Sequence, residues 1–504
     1  MSEKAIIGSE NRYTAYLNAL RTNFVKVTRL EFLTESGTVG YALDNDYKNK
    51  RSGAFLQSGS ISCNLQNGTR RQADITLSNL DNEFDYAVGQ IWFGQQVRIL
   101  EGLVLPDDTE YLIPQGIFEI TNPTETITPE TKTVSYSLTD KWANIDGTLM
   151  GNLEGCYSVN PGTNIFDAIA SILTLDKFTM ANDGPNYIDK VKPVFTGYYN
   201  RMTQTLSDGS LWPLTSSPYT YTSGDSETLA DVILGLCEML AAWVGYNHIG
   251  RLVVDPSQDD IADATKPVLW NFKDTEKQFL GAEYTNKNTE VYNDVIVVGA
   301  TSDEGRTARA RVQNRDPSSD TCISRIGLKT QRIEMSNYYS DEICRDYAAW
   351  KLKRCTALSK EVQITSTQMF HIVENEIVTI EHSDKPKNGT ERFVVQGFTR
   401  PLAQQGEMTI NAVSVNDYPQ VTEVADPISA SPSSGGGSGS GGSGSGSGSG
   451  GTVTNLTFSS DFTETDGYVA LVKAEEPEED NTHPITAAGV NKTVGNINAL
   501  LEGV

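Results

Sequence analysis

The sequence predicts a mainly β chain with two small antiparallel β-barrel domains, a mixed α/β insertion between them, a Gly/Ser linker and a small C-terminal module. Three observations carry that reading. Two stretches far apart spell nearly the same strand-rich pattern, the texture between them turns helical, and an unbroken Gly/Ser run sets off the end of the chain. The first stretch holds Val97-Arg98-Ile99, then Gln115-Gly116-Ile117-Phe118, then Val134 to Asp140; the second holds Ile377-Val378-Thr379-Ile380, then Gln396-Gly397-Phe398, then Met408 to Asp417. Val97 precedes Gly116 by 19 residues, and Val378 precedes Gly397 by the same 19. A repeated unit is the signature of a repeated fold. Alternating apolar and polar residues also occur in any half-buried strand, so the echo alone leaves duplication and coincidence both open.

In order along the chain, residues 1–150 read as the first barrel with an N-terminal extension. Ala73 to Leu77 alternates, Asn79 to Asn82 supplies turn chemistry, and the segment closes through Asp140-Lys141-Trp142 to Gly147. Residues 151–285 read as the inserted α/β domain. Ile165, Ile169, Ile172 and Leu173 share one side of a helix, and Leu229, Val232, Ile233, Leu236, Leu240 and Trp243 form a second apolar stripe. Asp225 or Ser226 is the expected N-cap of that second helix. Gly250-Arg251-Leu252-Val253-Val254 then turns into a strand. Residues 286–425 read as the second barrel with one helix, capped by Ser340 and turning Ile343, Tyr347 and Trp350 inward. Lys351, Lys353 and Arg354 sit near its C-terminal end, where the helix dipole favours positive charge.

Residues 426–452 form the linker. Its 19 consecutive Gly and Ser residues, 433–451, give a flexible tether, with a reach of roughly 25 Å. Residues 453–504 follow as a docking module that ends in an amphipathic helix. Val490, Val494, Ile497, Leu501 and Val504 fall at alternating spacings of four and three, the seam of a coiled coil. Two heptads are marginal alone, so the seam needs a partner chain or its own module to lie on.

Composition narrows the function. The net charge is −25, from 40 basic and 65 acidic residues, which excludes a protein that grips DNA by its phosphates. An acidic surface would instead let DNA pass without adhering, although solubility explains the same charge. No run approaches the ~18 apolar residues of a spanning helix, and the start lacks a secretory signal, so synthesis in the cytoplasm is expected. The six cysteines lack C-x-x-C spacing and the chain has four histidines, so no metal and no cofactor is expected. Hydrolase, zinc-protease and P-loop motifs are missing, and the chain is read as a non-enzyme. Arg306, Arg309, Arg311 and Arg315 cluster after Gly305. They are read as an intersubunit basic strip or a solvated hairpin ahead of an anion site.

The run from Gly68 to Asp85, then Trp92-Phe93-Gly94-Gln95-Gln96-Val97-Arg98-Ile99, Gly116-Ile117-Phe118 and Leu138-Thr139-Asp140-Lys141 resembles baseplate hub and tail-tip proteins of tailed bacteriophages and prophage-like tails. Thr228 to Val254 and Val291-Tyr292-Asn293-Asp294-Val295 fit the same family, so the resemblance spans about residues 20–420. It implies that the two barrels are tail-tube-like and that the chain forms a homotrimer, a pseudo-sixfold ring that continues the tube. The implied partners are other copies of the chain, tail-tube or distal-ring proteins, spike or fibre components, and genomic DNA passing through unbound. The implied location is the virion tail tip. Many members of the family end in a cell-wall hydrolase, whereas this chain ends in an acidic module. The alternatives are a receptor- or carbohydrate-binding tail-tip protein and a tail-associated cell-wall hydrolase.

Overall fold

The computed structural model describes residues 9–45, 55–80, 82–85, 91, 94–181, 184, 186–195, 203–205, 211–213, 215–217, 220–224, 226–240, 242–256, 267–286, 291–301, 305–335, 338, 340–356, 360–383, 390–402, 406–414, 421–423, 462–465 and 468–471. Residues 1–426 form one unit and 427–504 another. The second unit is described as one antiparallel strand pair, Phe462–Thr465 with Tyr468–Leu471. The Gly/Ser run and the seam Val490, Val494, Ile497, Leu501 and Val504 lie outside the described residues.

The first β unit opens with helix α1 (Glu10–Leu20), which buries Tyr16, Ala19 and Leu20. Seven strands follow: β1 (Lys26–Leu33), β2 (Val39–Asp44), β3 (Leu56–Asn64), β4 (Arg71–Ser78), β5 (Gln96–Val104), β6 (Glu110–Ile127) and β7 (Lys132–Asp140). Period-two patterning sets their faces: in β4, Arg71, Ala73, Ile75 and Leu77 point inward while Gln72 and Asp74 face water. Their lateral order is β3-β4-β7-β6-β5-β1-β2, and every neighbouring pair is antiparallel. Gly102 on β5 is required by close approach, since a Cβ there would stand 1.8 Å from the Tyr111 carbonyl oxygen.

The mixed insertion contains α2 (Ile165–Leu173), β8 (Val194–Phe195), α3 (Leu229–Met239), β9 (Ala242–Tyr246) and β10 (Leu252–Pro256). Asn164 caps α2 by accepting from the Phe166 and Asp167 amides. The cap of α3 is Thr228, in a reciprocal box with Asp231, rather than the expected Asp225 or Ser226. The two helices pack their apolar stripes together with Trp142, Val244 and Val254 in a core of their own. The β3–β4 turn docks on this insertion, where the Gly68 amide donates to the Val244 carbonyl at 3.0 Å and the Val244 amide donates to Asn67 at 2.9 Å.

Strands β11 (Val268–Lys273) and β12 (Phe279–Asn286) begin the second β unit. A small subdomain then intervenes: β13 (Asp294–Thr301), β14 (Thr307–Asn314), β15 (Thr330–Glu334) and helix α4 (Asp341–Thr356). The unit is completed by β16 (Lys360–Ser366), β17 (Ile377–Glu381), β18 (Thr390–Pro401) and β19 (Met408–Ser414), and β20 (Val421–Glu423) returns to pair with β14. The Ser340 hydroxyl accepts from the Ile343 amide at the start of α4, as its sequence indicates. Two boundaries differ from the sequence reading. Residue 285 falls inside β12, because β11 pairs with β17 and β12 with β16; both strands belong to the second β unit and not to the insertion. Within 286–425, β13, β14 and α4 bury a separate core around Val295, Val297, Val312 and Leu352.

The second β unit repeats the first in topology. Its order β12-β16-β19-β18-β17 matches β3-β4-β7-β6-β5 strand for strand, in the same chain order, with every neighbour antiparallel. Beyond β17 the copies diverge: β11 runs parallel to β17, whereas β1 runs antiparallel to β5. The equal 19-residue spacings are not an equivalence of register, since Val97 faces Phe118 but Val378 faces Phe393. The duplication resides in strand order.

The two copies are joined into one 13-stranded sheet through β18. Its first half pairs with β17, while residues 397–401 pair with β3 of the other copy, Gly397 facing Asn64 and Pro401 facing Ser60. One continuous apolar cluster fills both copies, from Phe32, Val97 and Phe118 to Phe272, Val378 and Phe398.

Candidate functional site

Where the two copies meet, strand alternation drives charged side chains inward. Arg71 precedes inward Ala73 by two positions, Glu101 follows inward Ile99 by two, and Arg400 follows inward Phe398 by two; all three are fully buried. Burial of charge is tolerated when every charge is paired. Glu101 forms an ion pair with Lys26 Nζ at 2.8 Å and accepts from Arg400 Nε at 2.6 Å. Arg400 also donates to the Met369 carbonyl at 3.0 Å and to the Gln115 side chain, whose amide nitrogen donates to the Phe370 carbonyl at 3.0 Å. Arg71 pairs with Glu374 and donates to the Gln115 carbonyl at 2.9 Å. On the α1 side, the Tyr16 hydroxyl meets His371 Nδ1 at 3.0 Å.

The electrostatics are those of a paired network. Burial opposes ionisation of Glu101, yet Arg400 and Lys26 hold its carboxyl below the ordinary value. Glu374 behaves likewise under Arg71 and Arg70. Burial lowers the Lys26 ammonium despite Glu101. Burial, reinforced by Arg400, lowers His371 to about 3, so its imidazole is neutral. Asp140, raised to about 6 by burial, accepts the amides of Arg70, Arg71 and Trp142 at the base of the first unit. These ion pairs run from one copy to the other, Glu101 of the first to Arg400 of the second and Arg71 of the first to Glu374 of the second.

On the solvent face of the shared sheet, three rows near the joint are polar. Directly opposed residues lie on one face. Thr139 faces Gln72, Gln72 faces Ser62, Ser62 faces Thr399, Thr399 faces Thr409 and Thr409 faces Thr365, one row across six strands. A neighbouring row runs Asn64, Gly397, Asn411, Gln363, Glu283, and a third runs Ser137, Asp74, Ser60. Apart from the buried Gly397, these rows are half-buried to exposed and hold hydroxyls, amides and carboxylates, with no lysine or arginine.

The four arginines lie on the β13–β14 hairpin or just past it. Arg311 is bidentate to the buried Asp294, at 2.8 and 2.9 Å. Arg306 pairs with Asp341, whose carboxylate also accepts the Arg309 amide at 2.9 Å, and Arg315 donates to Gln313 at 2.7 Å. Arg306 still exposes 76% of its side chain. The inward charges at the joint were not singled out from sequence, although a charge on the apolar phase of an alternating strand is a readable signal. Among the described residues, no group of His, Cys, Asp and Glu could hold a metal ion, and no helix is long and apolar enough to cross a membrane.

Comparison with solved structures finds similar chains. A tail protein from Neisseria meningitidis MC58 is 10% identical with a TM-score of 0.49, covering 78% of this chain and 97% of its own. The 43 kDa tail protein of prophage MuSo2 from Shewanella oneidensis is 12% identical, with a TM-score of 0.47 and coverages of 77% and 98%. Prophage tail protein gp18 from Listeria monocytogenes EGD-e is 8% identical, with a TM-score of 0.46 and coverages of 78% and 94%. These similar structures are tail proteins. No family model and no curated relative matches the sequence.

Proposed function

We propose that the chain is a structural baseplate hub protein of a phage tail, a homotrimer whose ring continues the tail tube and surrounds the DNA channel. The observation that carries this reading is the five-strand order repeated within one chain and fused into one sheet. Three such chains would place six near-equivalent units around an axis, so a threefold assembly matches a sixfold tube. The buried charges at the joint hold the paired units in one orientation. The polar rows support the channel assignment. Each phosphate that meets a lysine or arginine adds salt-dependent affinity. These rows of hydroxyls, amides and carboxylates offer a passing duplex no such anchor. On this reading the chain has no catalytic role, its partners are tube or distal-ring proteins and spike or fibre components, and it resides at the virion tail tip.

Electron microscopy of the purified protein and of labelled particles tests this. A three-subunit ring with six lobes, on the tail axis at the end of the tube, is expected. A label that projects sideways would favour the receptor-binding alternative, and carboxylate-dependent clearing in a host cell-wall zymogram would favour the hydrolase.

A further inference from the structure

The joint inside the chain predicts the joint between chains. In the second copy, β18 continues past the end of β17, and the edge so exposed, residues 397–401, pairs with the outer edge of β3. In the first copy, β6 likewise continues past the end of β5, whose pairing stops at Glu119. Residues 122–127 of β6 are exposed, and among the described residues no strand pairs with their β5-side edge. The counterpart of β3 in the second copy is β12, whose outer edge is also without a strand among the described residues. A single chain therefore holds one made joint and the two unmade halves of its equivalent.

We propose that residues 124–127 of β6 pair with the outer edge of β12 in a second copy of this chain. This rests on the ring reading above and deepens it by naming the surface. The contact is head-to-tail, as closure of a ring requires. Open edges with exposed apolar side chains are otherwise aggregation sites. Ile127 is 67% exposed and Leu280, on β12, is 50% exposed. Ile127 shares its phase with Glu125, which faces the buried Val134, so Ile127 projects toward the core side of the sheet. Thr124 and Thr126 project to the other side, where Glu283 and Thr285 of β12 also lie. The pairing would thus continue the polar rows from one chain to the next. Pro123, which cannot donate to a ladder, sits at the bulge between Thr121 and Thr124, ahead of the pairing segment.

Disulfide trapping tests the assignment in a Cys156→Ser background, because Cys156 is exposed. Thr126→Cys is combined in turn with Glu283→Cys and Thr285→Cys, and each protein is oxidised and run on a non-reducing gel. At least one combination is expected to give covalent dimers and trimers that neither single variant gives. Native mass spectrometry on the same samples separates the two ideas. Trimers that never become covalent would overturn the edge assignment and leave the ring reading standing, whereas a protein that is monomeric throughout would overturn both. The Thr128 amide donates to the Thr131 carbonyl, so by antiparallel alternation the Ile127 amide faces away from β7 toward the open edge. Ile127→Pro removes that donor and is expected to abolish trimers at an unchanged circular dichroism spectrum; trimers that persist would overturn the pairing.

Discussion

Glu101 is the residue on which two buried cations depend. Glu101→Ala leaves Lys26 and Arg400 uncompensated and is expected to cost about 3–5 kcal/mol in chemical denaturation. Replacing the trio together (Lys26→Met, Glu101→Leu, Arg400→Met) is expected to be far milder, because apolar groups of similar volume often substitute for a buried ion set without loss. His371 supplies a pH dependence. Its folded pKa, lowered from 6.5 to about 3, means that the unfolded chain binds the proton more readily. Stability therefore falls as pH drops from 6.5 toward 3, by up to about 1.4 kcal/mol per unit. His248, lowered to about 4 by burial and then Arg71, acts in the same sense, while Asp140, raised to about 6, opposes it between 6 and 3.8. The depressed carboxyls of Glu101 and Glu374 lose their contribution only below their ordinary 4.5. Thermal melts between pH 7 and 5 should show a shallower decline for His371→Asn than for the wild type.

Single elements were legible where the period was strong. The apolar stripe of α2 reads directly from Ile165, Ile169 and Ile172, and β4 reads from its strict alternation. The start of α3 was displaced because capping depends on a backbone turn that several nearby polar residues would serve equally. Thr228→Ala removes the hydroxyl that accepts the Asp231 amide and is expected to cost about 1 kcal/mol, read by urea denaturation. The spacing of α4 placed Ile343 and Tyr347 inward, and Ile343 is buried with Tyr347 partly buried beside it, while the Trp350 side chain lies outside the described residues; β13 and β14, by contrast, looked like more barrel strands. Alternation specifies that a strand has a buried side, not which sheet it joins. The same blindness put a boundary at 285, in the middle of β12.

For the molecule as a whole, the echo of two strand-rich stretches was readable, but the pairing of β18 with β3 was not. Those strands are some 340 residues apart in sequence, and nothing local in Thr399 or Ser62 names its partner. Because residues 1–426 and 427–504 are separate units, a chain truncated after Asp426 is expected to form the proposed trimer in sedimentation analysis as the full chain does. A truncated chain that sediments as a smaller species than the full chain would mean that the proposed assembly needs the terminal module. Val494→Asp with Ile497→Asp should instead release whatever co-purifies through the expected heptad seam without changing the oligomeric state; unchanged co-purification would discard the seam as an interface.

The crossing of β18 into the first copy also sets a timetable. A ribosome adds about 5–20 residues per second. The edge of β3 emerges early, yet its neighbour, residues 397–401, is made well over 300 residues later. The nascent chain must therefore carry an incomplete, sticky half for about 20 seconds to a minute. Chaperone demand and losses to inclusion bodies should track translation speed across that interval, and the earliest segment should be the last to become protease-resistant.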